Sequence, residues 1–192
     1  MSGLLLIGGG GHCRSVIDVI EQEGRFEIAG IVDNNLAVGS HVLGYEVLGS
    51  DANLPILAQQ YRDALVCVGQ IQTPHPRKQL FERLKTLGFN LPSIISARAY
   101  VSPHARVGEG SVIMHDALLN ANASVGCNCI INTKALIEHD STIESHCHIA
   151  TGAIINGGVR VKQGSFIGSG SVSKEGITID AQSFIKAGSV VV

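Results

Sequence analysis

One short stretch past the middle of the chain carries the residues best suited to acid–base chemistry. It reads Ile137-Glu138-His139-Asp140. Imidazole takes up and releases protons near neutral pH, so His139 is a candidate general base. An adjacent carboxylate can orient the ring and stabilise the imidazolium, and both Asp140 and Glu138 qualify. The alternative interpretation of His139 is an ordinary solvated turn residue.

Neighbouring residues allow two other kinds of chemistry. His139, His146 and His148 invite a metal-site interpretation, but no carboxylate or thiolate lies at a diagnostic spacing from them. Cys147 invites the interpretation of a covalent nucleophile. It occupies a small position of the pattern described below, which predicts a packed and unreactive thiol. We therefore expect neither a metal site nor a covalent intermediate on Cys147.

A glycine-rich turn near the start of the chain is a second candidate site. Gly8-Gly9-Gly10-Gly11-His12 joins a short apolar stretch to a helical pattern. Free N–H groups at a helix N-terminus favour phosphate, and Asp33 ends the next strand, where an acidic residue can bind a ribose hydroxyl. Cys13 fills the third glycine position of the dinucleotide fingerprint. Three interpretations stay open: a nucleotide-linked substrate, which we favour, an NAD site, or glycines that merely turn the chain.

The second half of the chain, which carries His139, has a short sequence repeat. From Ile95 to Val191 an aliphatic residue recurs at every sixth position, and Ser173 is the one exception. Neither helices nor ordinary strands keep this period, and a six-residue repeat predicts a parallel β-helix. A β-sandwich is the alternative, but its turns are irregularly spaced. The residue four places after each aliphatic is nearly always small, and we expect the chain to turn tightly there.

The first half of the chain predicts a small α/β domain of the βαβ kind. Short apolar strands alternate with helices that end near glycines. The predicted strands are Leu4–Ile7, Ile28–Asp33 and Leu65–Gly69, and the predicted helices end at Gly24 and cover Pro76–Leu87. A boundary near Leu91-Pro92 predicts domains of residues 1–91 and 92–192.

Composition and charge exclude several classes of function. The 192 residues carry a formal net charge of −2, and only 16% are charged, so no basic surface indicates a nucleic-acid partner. No apolar run reaches membrane-spanning length and no basic leader opens the chain, so we expect a cytoplasmic protein. Five cysteines without a CxxC pair predict neither a disulfide framework nor a zinc knuckle.

In combination, these features resemble the sugar O-acyltransferase family of sialic acid O-acetyltransferases, which includes bacterial enzymes that N-acetylate UDP-linked 4-amino sugars. The similarity spans nearly the whole chain. It rests on the glycine-rich turn with His12, Val32-Asp33-Asn34, Val68-Gly69, Ile131-Asn132-Thr133 and Ile137-Glu138-His139-Asp140. The resemblance implies a Rossmann-like α/β domain followed by a left-handed β-helix. It also implies acetyl-CoA as co-substrate, no metal, and a homotrimer with its active site between neighbouring β-helices.

The same resemblance implies roles for individual residues. His139 is the general base, and Asp140, often Glu in the family, raises its basicity. His148 contacts acetyl-CoA near the thioester, with further cofactor contacts from the main chain at Ser169 and Ala187 and close approach at Gly157. The positions that match nucleotide-sugar contacts are Gly10, Gly11, His12, Asp33, Asn34 and Gly69, and Asn132 matches a position near the acceptor.

We expect an acetyl-CoA-dependent acetyltransferase that transfers directly to the amine of a nucleotide-linked amino-deoxysugar. O-acetylation of a sialic acid is the second hypothesis, because a hydroxyl needs a base as much as an amine does. A β-helix scaffold or sugar-nucleotide-binding protein without turnover is the third. Family members usually continue with further repeat beyond the position of Val192. We therefore expect an incomplete adenine end of the CoA site and an uncapped final coil.

Overall fold

The computed structural model describes residues 3–192, which divide into two compact units. The first unit comprises the chain up to Gly69 together with Pro76–Pro92. The second comprises Gln70–His75 and Ser93–Val192. The short segment Gln70–His75 therefore belongs to the second unit, although it lies within the first half of the sequence.

The first unit is built on a five-stranded sheet in the order β3-β4-β2-β1-β5. Strand β1, which lies between β2 and β5, is buried throughout its apolar run, as expected of a parallel strand covered on both sides. The strands are β1 (Gly3–Ile7), β2 (Glu27–Val32), β3 (His41–Val42), β4 (Tyr45–Gly49) and β5 (Asp63–Val66). The helices are α1 (Gly11–Glu23), α2 (Leu54–Leu57) and α3 (His75–Thr86), with a 3-10 turn at Asp51–Asn53.

The βαβ prediction is confirmed for β1, α1, β2 and β5, but the sequence reading missed the hairpin at the sheet edge. β3 pairs antiparallel with β4, whereas the other pairs of the sheet are parallel. The two-residue loop that joins β3 to β4 is Leu43-Gly44, and the φ angles of these residues are 50° and 90°. A leucine rarely takes positive φ, so the usual Asn-Gly or Asp-Gly signal of such a hairpin is absent.

The second unit is a parallel β-helix with three faces, and consecutive hexads supply successive faces. The first face contains β6 (Ile94–Ile95), β9 (Val112–Ile113), β12 (Ile130–Ile131), β15 (His148–Ile149), β18 (Phe166–Ile167) and β21 (Phe184–Ile185). The second contains β7 (Tyr100–Val101), β10 (Leu118–Leu119), β13 (Leu136–Ile137), β16 (Ile154–Ile155), β19 (Val172–Ser173) and β22 (Val190–Val191). The third contains β8 (Arg106–Val107), β11 (Ser124–Val125), β14 (Thr142–Ile143), β17 (Arg160–Val161) and β20 (Thr178–Ile179).

The aliphatic series forms the core of the β-helix, as predicted. Ile131, Ile137 and Ile143 are at most 1% exposed, and their equivalents stack above and below them. The prediction for the small residues was wrong in one respect. The left-handed turn residue lies three places after the aliphatic, as at Asp140 with φ of 61°, whereas the small residue one place later packs into the core. Smallness there serves packing, and the turn is made by the preceding residue.

Candidate active site

His139 stands at the corner where the second face turns into the third, between β13 and β14. Its side chain is 61% exposed, and its Nδ1 lies 2.8 Å from Oδ2 of Asp140. A carboxylate only accepts hydrogen bonds, so Nδ1 of the neutral ring carries the proton and donates it. The lone pair is then on Nε2. This is the tautomer that a general base requires.

Asp140 is itself held by the preceding coil. Nδ2 of Asn122 donates to its Oδ1 at 2.8 Å, while its Oδ2 accepts from His139. These two hydrogen bonds, that from Asn122 first, lower the pKa of Asp140 below its ordinary value. The carboxylate therefore stays ionised and fixed in orientation beside the ring.

Of the two acidic neighbours, the structure identifies Asp140 as the partner of the imidazole. Oε2 of Glu138 instead accepts from Nδ2 of Asn120 at 2.7 Å and from the main-chain amide of His139 at 3.1 Å. The hydrogen bond to Asp140 is the largest cause of a raised pKa at His139, and the charges of both carboxylates add to it. His139 is consequently a stronger base than a free histidine.

Gly157 lies beneath the His139 ring, one coil further along the same corner. A Cβ at position 157 would come within 2.8 Å of Nε2 and 2.9 Å of Cε1 of His139. Real Cβ atoms do not approach so closely, so any larger residue would displace the imidazole. The predicted cofactor position Gly157 thus has a structural requirement of its own, namely space for the His139 ring.

His148, the predicted contact near the thioester, lies within β15 and is only 7% exposed. Its Nδ1 is 2.5 Å from the carbonyl oxygen of Gln70, and its Nε2 is 3.1 Å from Nδ2 of Asn132. Oδ1 of Asn132 accepts from the Thr133 amide at 2.8 Å, which turns the Asn132 NH2 group toward the ring. Both imidazole nitrogens are therefore already hydrogen-bonded within the chain.

The predicted transferase residues do not meet in one place within a single chain. His139 and Gly157 share the corner between the second and third faces, whereas His148 lies on the first face. Ser169 and Ala187 are exposed and stack one coil apart at the corner between the first and second faces. The carbonyl of Ser169 accepts from the amide of Gly188 at 2.9 Å. A site that uses all of these groups would need surfaces from more than one side of the coil.

In the first unit, the glycine-rich turn caps α1 as predicted. Gly10 is the N-cap, and a Cβ at Gly10 or Gly11 would meet nothing within 4 Å, so the main chain there is accessible. Gly69 lies next to His12, because a Cβ on Gly69 would be 3.7 Å from that of His12. These four predicted substrate positions thus lie around the N-terminal end of α1.

Asp33 ties this turn to the loop after β2. Its Oδ2 accepts from the amide of Gly9 at 2.7 Å, and its Oδ1 accepts from the amides of Asn35 and Leu36 at 2.7 and 3.2 Å. The carboxylate thus shapes the loop. The sequence predicted that Asp33 binds a ribose hydroxyl. The structure shows that Asp33 also accepts hydrogen bonds from the main chain of the neighbouring loops.

An open cleft of about 590 Å³ lies beside this loop, within the size range of small-molecule sites. Asn34, a predicted substrate position, lines it and exchanges hydrogen bonds of 2.9 Å with the side chain and amide of Asp51. Nη2 of Arg83 donates to the Asp51 carbonyl at 2.9 Å. The sequence reading missed Asp51 and Arg83. They come from the 3-10 turn and from α3, and the order of the strands in the sheet brings them to Asn34.

Burial and geometry describe the two remaining candidates, Cys147 and a metal site. The Cys147 side chain is buried, as predicted, and this burial raises the pKa of its thiol well above the ordinary value. Within residues 3–192, no three or more His, Cys, Asp or Glu side chains cluster as a metal site would require. The same residues include no helix with the length and apolar character of a membrane span.

Comparison with known proteins places this geometry in context. Residues 3–84 match the family model described as the PglD N-terminal domain. No curated protein sequence matches the chain significantly. Among solved structures, that of PerB from Caulobacter crescentus, in complex with CoA and GDP-perosamine, is 36% identical with a TM-score of 0.93. The match covers 100% of this chain and 89% of PerB.

A second match extends the comparison to another organism. The acetyltransferase domain of PglB from Neisseria gonorrhoeae, in complex with acetyl coenzyme A, is 33% identical with a TM-score of 0.92. The match covers 100% of this chain and 91% of that domain. An α/β domain followed by a left-handed β-helix, as predicted from the resemblance, is confirmed.

Proposed function

Because the chain belongs to the bacterial sugar acetyltransferases of the hexapeptide-repeat family, we propose that it transfers an acetyl group from acetyl-CoA to the amine of a nucleotide-linked amino sugar. One observation carries the proposal. His139 has Nδ1 committed to an ionised Asp140 and Nε2 available, on a protein fold shared with PerB, whose structure contains CoA and GDP-perosamine. Sialic acid O-acetylation and a non-catalytic binding role are the alternatives.

The chemistry follows from this arrangement. The acceptor amine attacks the thioester carbonyl carbon, and Nε2 of His139 takes the proton that the nitrogen must lose. Asp140 stabilises the imidazolium without becoming protonated. Collapse of the tetrahedral adduct breaks the carbon–sulfur bond, and the CoA thiolate leaves with the electron pair and then takes up a proton. No covalent enzyme intermediate is needed, in keeping with the burial of Cys147.

We assign the nucleotide-linked substrate to the first unit. The accessible N–H groups at the start of α1, from Gly10 to His12, suit phosphate oxygens. Asn34 in the adjacent cleft, together with the newly found Asp51 and Arg83, offers polar groups for the nucleoside. His148, Ser169, Ala187 and Asn132 remain proposed cofactor and acceptor contacts.

We further propose a cytoplasmic homotrimer. The outward residues of the second face are apolar at every coil: Tyr100, Leu118, Leu136, Ile154, Val172 and Val190. Those of the third face are polar: Arg106, Ser124, Thr142, Arg160 and Thr178. A partly exposed apolar stripe of this length favours association with a second copy. The cytoplasmic location is supported by the five free cysteines.

The assembly has a direct test with a matched control. Ile154→Glu places a charge in the apolar stripe and is expected to dissociate the oligomer in sedimentation equilibrium. Thr142→Glu places the same charge on the polar third face and should leave the oligomer intact. A trimer that survives Ile154→Glu would exclude the second face as the interface.

The activity is tested by release of free CoA thiol across a panel of GDP- and UDP-linked amino sugars and free sialic acids. We expect turnover with a nucleotide-linked amino sugar and none with the corresponding hydroxy sugar. Turnover with sialic acids alone would establish O-acetylation. If no acceptor turns over, the melting temperature with and without acetyl-CoA distinguishes an enzyme from a non-catalytic protein. A ligand at 100 times its Kd stabilises the folded protein by roughly 2.7 kcal/mol. No shift with acetyl-CoA would favour the non-catalytic alternative.

A further inference from the structure

The one departure from the aliphatic repeat coincides with an irregularity in the hydrogen bonding between coils. Elsewhere, the amide after each inward aliphatic donates to the carbonyl of the aliphatic one coil later, as from Glu138 to Ile155 at 2.9 Å. At Asn156 the amide donates at 3.0 Å to the Oγ of Ser173, which fills the inward position. Nδ2 of Asn156 donates to the Ser173 carbonyl at 2.6 Å. Two side-chain bonds thus replace one main-chain bond.

The pairing of the strands shows the same local change. β16 and β19 share only the pair Ile154–Val172, whereas the neighbouring coils pair at both residues of each strand, as in β13 with β16. Ser173 is 2% exposed, so its hydroxyl takes the place of a buried aliphatic group. Departures from a local rule that sacrifice apolar packing are expected at functional or strained sites.

Asn156 is also held from the other side. The main-chain carbonyl oxygen of Asn156 accepts a hydrogen bond from Oγ of Ser141 at 2.8 Å, and Ser141 directly follows Asp140. The next residue after Asn156 is Gly157, whose main chain lies under the His139 ring. A continuous set of contacts therefore leads from Ser173 through Asn156 to Gly157 and the imidazole, within one corner of the β-helix.

We propose that Ser173 and Asn156 are positioning residues for His139, which act by fixing the main chain of Gly157 against which the imidazole lies. The inference rests on the proposed role of His139 as general base. An aliphatic residue at 173 would restore the ordinary main-chain bond to Asn156. The peptide that joins Asn156 to Gly157 would then shift, and the ring would lose its fixed relation to Asp140 and to the substrate.

The test compares Ser173→Val with Ser173→Thr, two side chains of nearly equal shape that differ in the hydroxyl. Ser173→Ala serves as a second hydroxyl-free variant that adds no volume, and melting temperature monitors folding. We expect kcat to fall about tenfold in the Val and Ala variants, with KM for acetyl-CoA and acceptor unchanged, because small misplacements of a catalytic group are costly. The Thr variant should keep kcat within about twofold of the wild type, because its hydroxyl can still accept from the Asn156 amide and leave His139 in place.

A second readout does not depend on turnover. In NMR titration of the histidine side chains, the pKa of His139 should fall toward its ordinary value in the Val and Ala variants and stay raised in the Thr variant. Unchanged kcat and unchanged His139 pKa in Ser173→Val would overturn the inference, and so would an equal loss in the Thr variant. If His139→Gln retains normal kcat, the proposed base assignment fails. The titration then still decides whether Ser173 positions the ring.

Discussion

Two histidines nine residues apart show how the same side chain acquires different properties in one β-helix. His139 lies in an exposed turn, with one nitrogen bound to Asp140 and the other available. His148 lies in a strand and is buried; its Nδ1 donates to the Gln70 carbonyl, and its Nε2 accepts from Nδ2 of Asn132. A general base needs an accessible lone pair on a ring held by a charge. Of these two histidines, His139 satisfies both conditions.

The largest effect is expected at the exposed histidine. His139→Gln removes the base that we propose and should lower kcat by about 10²–10⁴-fold, while KM changes little, because such a base acts in proton transfer and not in substrate binding. Steady-state thiol-release assays give both constants, and sedimentation checks that the variant has the same assembly state as the wild type. Near-normal kcat would show that another group takes the proton.

Gly157→Ala should produce the next largest loss. The added Cβ would approach Nε2 of His139 to about 2.8 Å, which forces the ring out of place. We expect kcat to fall by about 10- to 100-fold. A double-mutant cycle supplies the control: in the His139→Gln background, Gly157→Ala should have no further effect on kcat. An additive loss would indicate that Gly157 acts elsewhere, for instance by allowing the approach of the cofactor.

The carboxylate partner should have a smaller effect with a distinctive dependence on pH. Asp140→Asn removes the charge that raises the pKa of His139, so the acid limb of kcat/KM should move to lower pH. At its plateau kcat should fall about tenfold, since the ring is a weaker base and less well oriented. Glu138→Gln, which alters the carboxylate that does not contact the ring, is the matched control. A larger shift from Glu138→Gln would reverse the assignment.

The buried histidine should affect stability more than catalysis. His148→Ala leaves the Gln70 carbonyl and the Asn132 amide without their partner, which should cost about 1–3 kcal/mol of unfolding free energy. We expect kcat to change by less than about fivefold, because neither nitrogen is open. Denaturant unfolding and kinetics at saturating acetyl-CoA measure the two effects. The proposed cofactor contact of His148 predicts in addition a rise in the KM for acetyl-CoA, and an unchanged KM would contradict that contact.

The difference between the two histidines also marks where prediction from sequence succeeds and where it stops. The turn motif predicted His139 and its acidic neighbours from residue types alone, because adjacent residues must lie close together. It left the choice between Asp140 and Glu138 open, since side-chain direction depends on the left-handed conformation at Asp140. The hydrogen bond from His148 to Gln70 joins residues 78 positions apart, and no local pattern indicates such a pair.

The same division holds for the fold. The six-residue period could be read directly, because each hexad contributes one core residue to the coil and every coil repeats the last. The edge hairpin was not predicted because Leu43 adopts a positive φ, which leucine rarely does and which its residue type therefore does not indicate. Asp51 and Arg83 could not be assigned to the cleft beside Asn34, because the 3-10 turn and the helix that carry them meet Asn34 only through the order of the sheet.

The sequence by itself determined the β-helix, the α/β unit ahead of it, and the residue that we propose as the base. These features depend on short-range periodicity and on adjacent side chains. The tertiary structure alone decided which carboxylate holds His139, why Gly157 must be small, and what the exceptional Ser173 bonds to. Those answers depend on contacts between successive coils. Asn122 and Asp140 are eighteen residues apart in the sequence, and Asn156 and Ser173 are seventeen residues apart. Only the stacking of the coils brings such residues together.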